Sequence, residues 1–147
     1  MTIVCPRPPA HWALALGLTV VATAVCAQDS SQPSLSIDLN ALEQVEQACR
    51  LSFVATNKTG KAIDEMTLET VLFNAAGTVD RFALFDFKAL PEGKTRVRQF
   101  DLPETQCGSV GRILINGAAS CKGPSLAGSE CIDQLDLKSS SKTEIVG

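Results

Sequence analysis

Short stretches in which apolar and polar residues alternate recur along most of this chain, and they constrain its fold more than any other feature. The first is the clearest, because Leu35, Ile37 and Leu39 alternate with polar residues, as in a half-buried β-strand. Similar stretches, separated by Asn, Gly or Pro turn residues, predict further strands. Together the predicted strands are 35–40, 49–56, 66–73, 79–87, 95–102, 110–116 and the edge strand 132–137.

The number and spacing of these strands predict the fold class. About seven short strands with turn residues between them and no long helical period are typical of an antiparallel immunoglobulin-like β-sandwich. We therefore expect an all-β sandwich domain over 28–137, followed by a disordered tail, 138–147, which is rich in Ser and Lys. Segment 41–48 is too short to assign, and 117–120 is predicted to be a loop of small residues.

The N-terminal segment has the order of a secretory signal peptide. Arg7 lies in a short head, the run 12–25 is apolar and uncharged, and a polar stretch follows Ala27. We therefore predict a cleavable signal peptide, 1–27, and no membrane span once it is removed. The alternatives are an uncleaved anchor, which needs about 20 apolar residues where this run has about 14, and lipidation at Cys26, which the valine before it disfavours.

Four of the six cysteines lie beyond the predicted signal, and an even number in an exported chain indicates two disulfides. In the predicted topology the second and sixth strands begin at the same end of the sandwich, which brings Cys49 close to Cys107. Cys121 and Cys131 flank the connection between the sixth and seventh strands. We therefore predict disulfides Cys49–Cys107 and Cys121–Cys131, in preference to a four-thiolate metal site.

The composition of the chain beyond the predicted signal peptide excludes several kinds of catalytic and binding site. His11 and Trp12 are the chain's one histidine and one tryptophan, and both precede the predicted cleavage site. Without histidine there is neither a Ser-His-Asp or Cys-His nucleophile nor an imidazole metal ligand. The net charge of −3, with both signs interspersed, disfavours a nucleic-acid partner, because phosphates require a basic surface. We expect no enzymatic activity, no metal and no cofactor.

Four segments of the predicted sandwich, 49–57, 71–79, 90–95 and 100–103, resemble the FxLYD-type immunoglobulin-like domains of exported bacterial proteins. They are also similar to small secreted proteins of Gram-negative bacteria. The resemblance covers 35–121 and rests on strand and turn patterns. Export alone implies a periplasmic or secreted location, and the resemblance implies a periplasmic one. The resemblance implies no catalytic residues.

Two arginines form a candidate binding site. Arg96 and Arg98 lie two residues apart in the predicted strand 95–102, and together with Arg81 or Arg112 they are suited to binding a carboxylate or phosphate. The alternative is a solvated strand face, whose cations pair with acidic residues of neighbouring strands: Glu65, Glu69 or Asp101.

Three other patterns favour structural roles. The acids Asp64, Glu65 and Glu69 lack the spacing of a calcium loop, so they are predicted to be surface acids. Asn57 begins a glycosylation sequon, which we interpret as a turn because of the bacterial resemblance. The phenylalanines of 82–100 are predicted to be core residues.

The sequence predicts a function mainly by exclusion. We expect a non-enzymatic binding or assembly module of the cell envelope that acts on a protein or envelope component through a sheet edge or loops. The alternative is an inhibitor or ligand-sequestering protein in which loop 122–130 inserts into a target. An enzyme that uses carboxylates alone is the third hypothesis, and the lack of Trp and Tyr beyond the predicted signal peptide disfavours glycoside hydrolysis, which usually needs them for sugar stacking.

Overall fold

A computed structural model of the chain describes Gln32 and residues 34–147. The predicted signal peptide, 1–27, lies outside the described residues. The described part is mostly β, with one short helix and one turn of 3-10 helix, Cys107–Ser109. The elements are β1 Ser34–Val45, β2 Ala48–Lys58, β3 Glu65–Asn74, β4 Val79–Asp86, β5 Thr95–Leu102, β6 Val110–Lys122, α1 Glu130–Asp133, β7 Leu135–Ser139 and β8 Glu144–Val146.

The strands form two four-stranded sheets that enclose one core. The first sheet has the order β5-β2-β1-β7, and the second has the order β4-β3-β6-β8. Alternate residues of β2 are buried, among them Phe53, whose ring centroid lies 5.7 Å from that of Phe85 in the second sheet. Phe85 also stacks on Phe100 of β5, with centroids 4.6 Å apart. The predicted two-layer β architecture is therefore present.

The pairing of the last two strands differs from the prediction of a purely antiparallel sandwich. β7 pairs with β1 in parallel, from Leu35↔Leu135 to Leu39↔Ser139. β8 pairs in parallel with β6. Both sheets are therefore mixed, because the chain leaves the first sheet after β7 and crosses to complete the second.

The prediction of a disordered tail over 138–147 is wrong. Lys138 and Ser139 belong to β7, and Ile145 in β8 is only 7% exposed. The Thr143 hydroxyl donates to the Val110 carbonyl at 3.1 Å, which anchors the chain before β8. The Ser- and Lys-rich composition gave no indication of this strand, which contributes one residue to the core.

Two of the predicted strands also continue further than their alternation indicates. β6 runs through the predicted loop 117–120 to Lys122 and stays paired with β3 through register shifts between Thr67/Leu68 and Glu69/Thr70. β1 takes up most of the unassigned segment 41–48 after a bulge between Leu39 and Ala41. In both cases irregular pairing replaces regular alternation.

The disulfides are those that the sequence predicts. Cys49 is bonded to Cys107, with their Cα atoms 4.9 Å apart, and Cys121 is bonded to Cys131, at 6.0 Å. Two disulfides in so small a domain indicate an oxidising, extracytoplasmic location. Among the residues that the structure describes, no helix has the length and apolar character needed to cross a membrane.

Candidate functional site

The outer face of the first sheet is polar, and its side chains pair with one another. Arg50 of β2 forms two hydrogen bonds to Asp101 of β5, at 2.7 and 2.8 Å, and these lower the pKa of the Asp101 carboxyl. On the same face Gln99 donates to Ser52 at 3.0 Å. This face has the character of an ordinary solvated sheet surface.

On the outer face of the second sheet, one row of cross-strand neighbours is apolar. Phe82 of β4 lies opposite Val71 of β3, Val71 lies opposite Leu114 of β6, and Leu114 lies opposite Val146 of β8. The row therefore crosses all four strands. Val71 is only 5% exposed, because its cross-strand neighbours cover it, whereas Phe82 at the end of the row is open to solvent.

The β4 edge site consists of the free edge of β4 together with the side chains of Phe82 and Leu84. β4 pairs with β3 on one side, and no strand of residues 34–147 pairs with its other side. Phe82 is 75% exposed and Leu84 is 64% exposed. The prediction that the phenylalanines of 82–100 are core residues is therefore wrong for Phe82, although Phe85 and Phe87 are buried.

Two depressions flank the β4 edge site. The outer pocket, of about 240 Å³, lies on the outer face and is lined by Phe82, Leu84, Glu69 and Asn116, with Thr70 and Ala83. The inter-sheet groove, of about 480 Å³, lies between β4 and β5, where Phe85 and Phe100 form part of its lining. A strand placed beside β4 would have one depression on each of its faces.

Acidic side chains surround the β4 edge site, and most of them are neutralised locally. Asp80 pairs with Arg81 at 2.8 Å. Asp86 pairs with Lys88, and the hydrogen bond from that ammonium lowers the pKa of Asp86. Glu69 is exposed and forms no ion pair within residues 34–147. Its carboxylate is the uncompensated charge of the outer pocket.

The predicted anion-binding arginines, Arg96 and Arg98, both lie on β5. Arg98 donates from Nε to the Phe87 carbonyl at 2.7 Å and from Nη2 to the Ala89 carbonyl at 3.1 Å. Arg96 donates to the carbonyl of Thr95. Three of the five N–H donors of Arg98 thus bind main-chain carbonyls, and two of these bonds join β5 to the segment after β4. Anion binding by this pair stays a prediction.

The other two predicted arginines serve structural contacts elsewhere. Arg81 pairs with Asp80 and also donates to the Pro103 carbonyl at 3.1 Å. The guanidinium carbon of Arg112 lies 4.5 Å from the ring centroid of Phe73. Within residues 34–147, neither shares a hydrogen-bond acceptor or an ion-pair partner with Arg96 or Arg98.

The sequon at Asn57 is buried within the fold. The Asn57 side-chain amide donates to the carbonyls of Lys61 and Leu90, at 2.8 and 2.7 Å, and its oxygen accepts from Thr59. Asn57 is 0% exposed. Its nitrogen is therefore fully used in hydrogen bonds, which agrees with the interpretation of this sequon as a turn.

The loop 122–130, the predicted inhibitory segment, is held against the domain. Leu126 packs against the core. Lys61 binds Glu130 at 2.6 Å, and that hydrogen bond lowers the pKa of Glu130. The loop's large apolar side chain is thus directed inward, and insertion of this loop into a target stays a prediction.

Fold and site together define a small, disulfide-stapled, two-sheet β-sandwich with an exposed apolar edge at β4. A solved structure from Escherichia coli, described as the structural characterization of IrmA, is similar to it with a TM-score of 0.59. The two are 14% identical in sequence, and the match covers 72% of this chain and 92% of that one. At this identity the likeness shows the fold alone. No protein-family model matches the chain, and no curated protein matches it.

Proposed function

We propose that this chain is a non-enzymatic, immunoglobulin-like binding module of the periplasm, and that an extended segment of a partner protein adds to the free edge of β4. One observation carries the proposal. The free edge of β4 presents two exposed large apolar side chains, Phe82 and Leu84, between two depressions. Two disulfides and the predicted signal peptide support the location.

Strand addition uses both features of the β4 edge site. The unpaired main-chain groups of β4 supply hydrogen bonds to a partner strand of any sequence. Side chains of the partner alternate between the two faces, so one set lies over the outer pocket beside Phe82 and the other enters the inter-sheet groove. Main-chain pairing then provides affinity, and the two depressions provide selectivity.

The edge of β5, an edge strand of the first sheet, offers a contrast. Natural sheets protect edge strands with charged residues, and β5 carries Arg96 and Arg98 near its middle. The middle of β4 is uncharged from Phe82 to Phe85. An exposed, uncharged edge is an aggregation hazard unless a partner covers it. This difference supports β4 rather than β5 as the binding edge.

Site-specific photo-crosslinking in the cell envelope of a Gram-negative host tests the proposal. A photoreactive phenylalanine analogue at position 82 is expected to form an adduct of discrete mass with another protein, because the side chain would lie beside the added strand. The matched control places the same analogue at Val97, which is 60% exposed on the polar face of the first sheet. We expect no adduct there.

The variant L84A gives the second part of this test. Loss of the apolar side chain is expected to lower the yield of the adduct at position 82 at least about fivefold, since covering a leucine side chain on binding contributes about 1.5–3 kcal/mol. Equal adducts at positions 82 and 97 would overturn the proposal. An adduct only between two copies of the chain would also overturn it.

A further inference from the structure

Resting on the proposed function, we infer that the strand added to β4 carries a lysine or arginine opposite Leu84, and that this cation binds Glu69 in the outer pocket. Glu69 lies on β3 directly opposite Leu84, on the outer face of the second sheet. Its carboxylate has no ion-pair partner among residues 34–147.

The lining of the outer pocket matches the chemistry of a long basic side chain. Phe82 and Leu84 form apolar walls, while Glu69 and Asn116 supply polar groups. Lysine and arginine combine an apolar stem with a charged end, so the stem can lie on Phe82 while the charge reaches the carboxylate. A purely apolar side chain would cover Glu69 without a partner, which is unfavourable.

The distance from the added strand to Glu69 suits such a side chain. The added strand and β3 would lie on opposite sides of β4, so their backbones would be about 9.6 Å apart, or two strand spacings. The stem of lysine or arginine and the side chain of Glu69 can together span that separation above Leu84. Shorter polar side chains on the added strand would not reach.

A second copy of this chain does not meet these requirements. Consider the β4 strands of two copies paired in antiparallel orientation, centred on Ala83, with the outer faces of both sheets on the same side. Phe82 then lies opposite Leu84 of the other copy. The same register sets Asp80 opposite Asp86, which is a like-charge pair. If the pairing is centred on Phe82, Asp80 of the other copy lies opposite Leu84. If it is centred on Leu84, the two Leu84 side chains lie opposite each other. Neither register places a cation opposite Leu84. None of these three registers supplies a cation opposite Leu84, which favours a segment of a different protein as the occupant.

Peptide binding to the folded, disulfide-bonded protein tests the inference. The probes are three blocked, fluorescently labelled nine-residue peptides, in which threonine and valine alternate and the central residue is lysine, glutamine or glutamate. We expect the lysine peptide to bind about fivefold more tightly than the glutamine peptide, the upper range for an exposed ion pair. The difference is expected to disappear in the variant E69Q, and the variant E69K is expected to prefer the glutamate peptide. Fluorescence anisotropy gives the dissociation constants.

Glu43 provides the matched control, because it is an exposed glutamate on the outer face of the first sheet. The variant E43Q is expected to keep the full preference for lysine. Equal binding of the three peptides to the unmodified protein would overturn the inference while leaving strand addition intact. If no peptide binds, the inference is overturned, and the crosslinking at position 82 decides separately whether strand addition also fails.

Discussion

Replacing Cys49 and Cys107 together by alanine is expected to lower the free energy of unfolding by about 4 kcal/mol, because their bond closes a loop of 58 positions. The bond restricts the unfolded chain, and Cys49 is also fully buried in the core, so its truncation removes packing as well. Small domains have about 5–15 kcal/mol of stability in total. The double variant is therefore expected to lose between about a quarter and four fifths of that stability.

The second disulfide supplies the matched control for this experiment. Cys121–Cys131 closes a loop of only 10 positions, so its removal is expected to cost about 3 kcal/mol. Denaturant unfolding without reductant measures both losses. Peptide mapping of the unmodified protein under non-reducing conditions is expected to link Cys49 to Cys107. A loss below about 2 kcal/mol for C49A/C107A, half of what the loop length implies, or a peptide linking Cys49 to Cys121, would contradict the expectation.

Much of the sandwich could be predicted from the sequence where one face of a strand is buried. β5 has the predicted bounds, Thr95–Leu102, and β2 shows the predicted alternation at Leu51 and Phe53. The pairing of the cysteines followed from the ends at which these strands begin. Period-two burial was the signal that made these predictions possible.

The predictions failed where a segment forms a strand by pairing with a distant strand and shows no period-two alternation of its own. The small residues of 117–120 do not alternate in hydrophobicity, yet β3 holds them in β6 through bulged pairing. Ile145 is one apolar residue near the end of a polar tail, and only its place beside Ile113 of β6 explains its burial. Local composition carries no information on such long-range partners, so neither feature could be predicted from it.

The β4 edge site was missed although the sequence carried a signal for it. Phe82 and Leu84 are one residue out of phase with Phe85 and Phe87, so in a strand the two pairs lie on opposite faces. Treating all the phenylalanines of this region as core residues ignored that phase. What the sequence lacked was the position of β4 at the end of its sheet, which depends on the whole topology.

The variant N57D is expected to lower the free energy of unfolding by about 3 kcal/mol or more at pH 7, because it places an unpaired carboxylate in the protein interior. The Asn57 amide donates to the carbonyls of Lys61 and Leu90, and a carboxylate cannot donate to either. The two side chains have nearly the same shape, so the substitution creates no cavity. The loss therefore measures the lost hydrogen bonds and the buried charge at the end of β2 rather than packing.

The pH dependence of N57D distinguishes this explanation from a general loss of packing. The protonated acid is neutral and keeps one donor, so the folded variant is expected to bind its proton more tightly than the unfolded chain does. Stability then falls as the pH rises above about 4, the ordinary pKa of an aspartic acid. Denaturant unfolding at pH 4 and pH 7 is expected to show a smaller difference from the unmodified protein at pH 4. The matched control is N40D at an exposed position of β1, where the cost is expected to stay below about 0.5 kcal/mol. A cost for N57D that does not change with pH would show that the buried amide is not what holds this turn together.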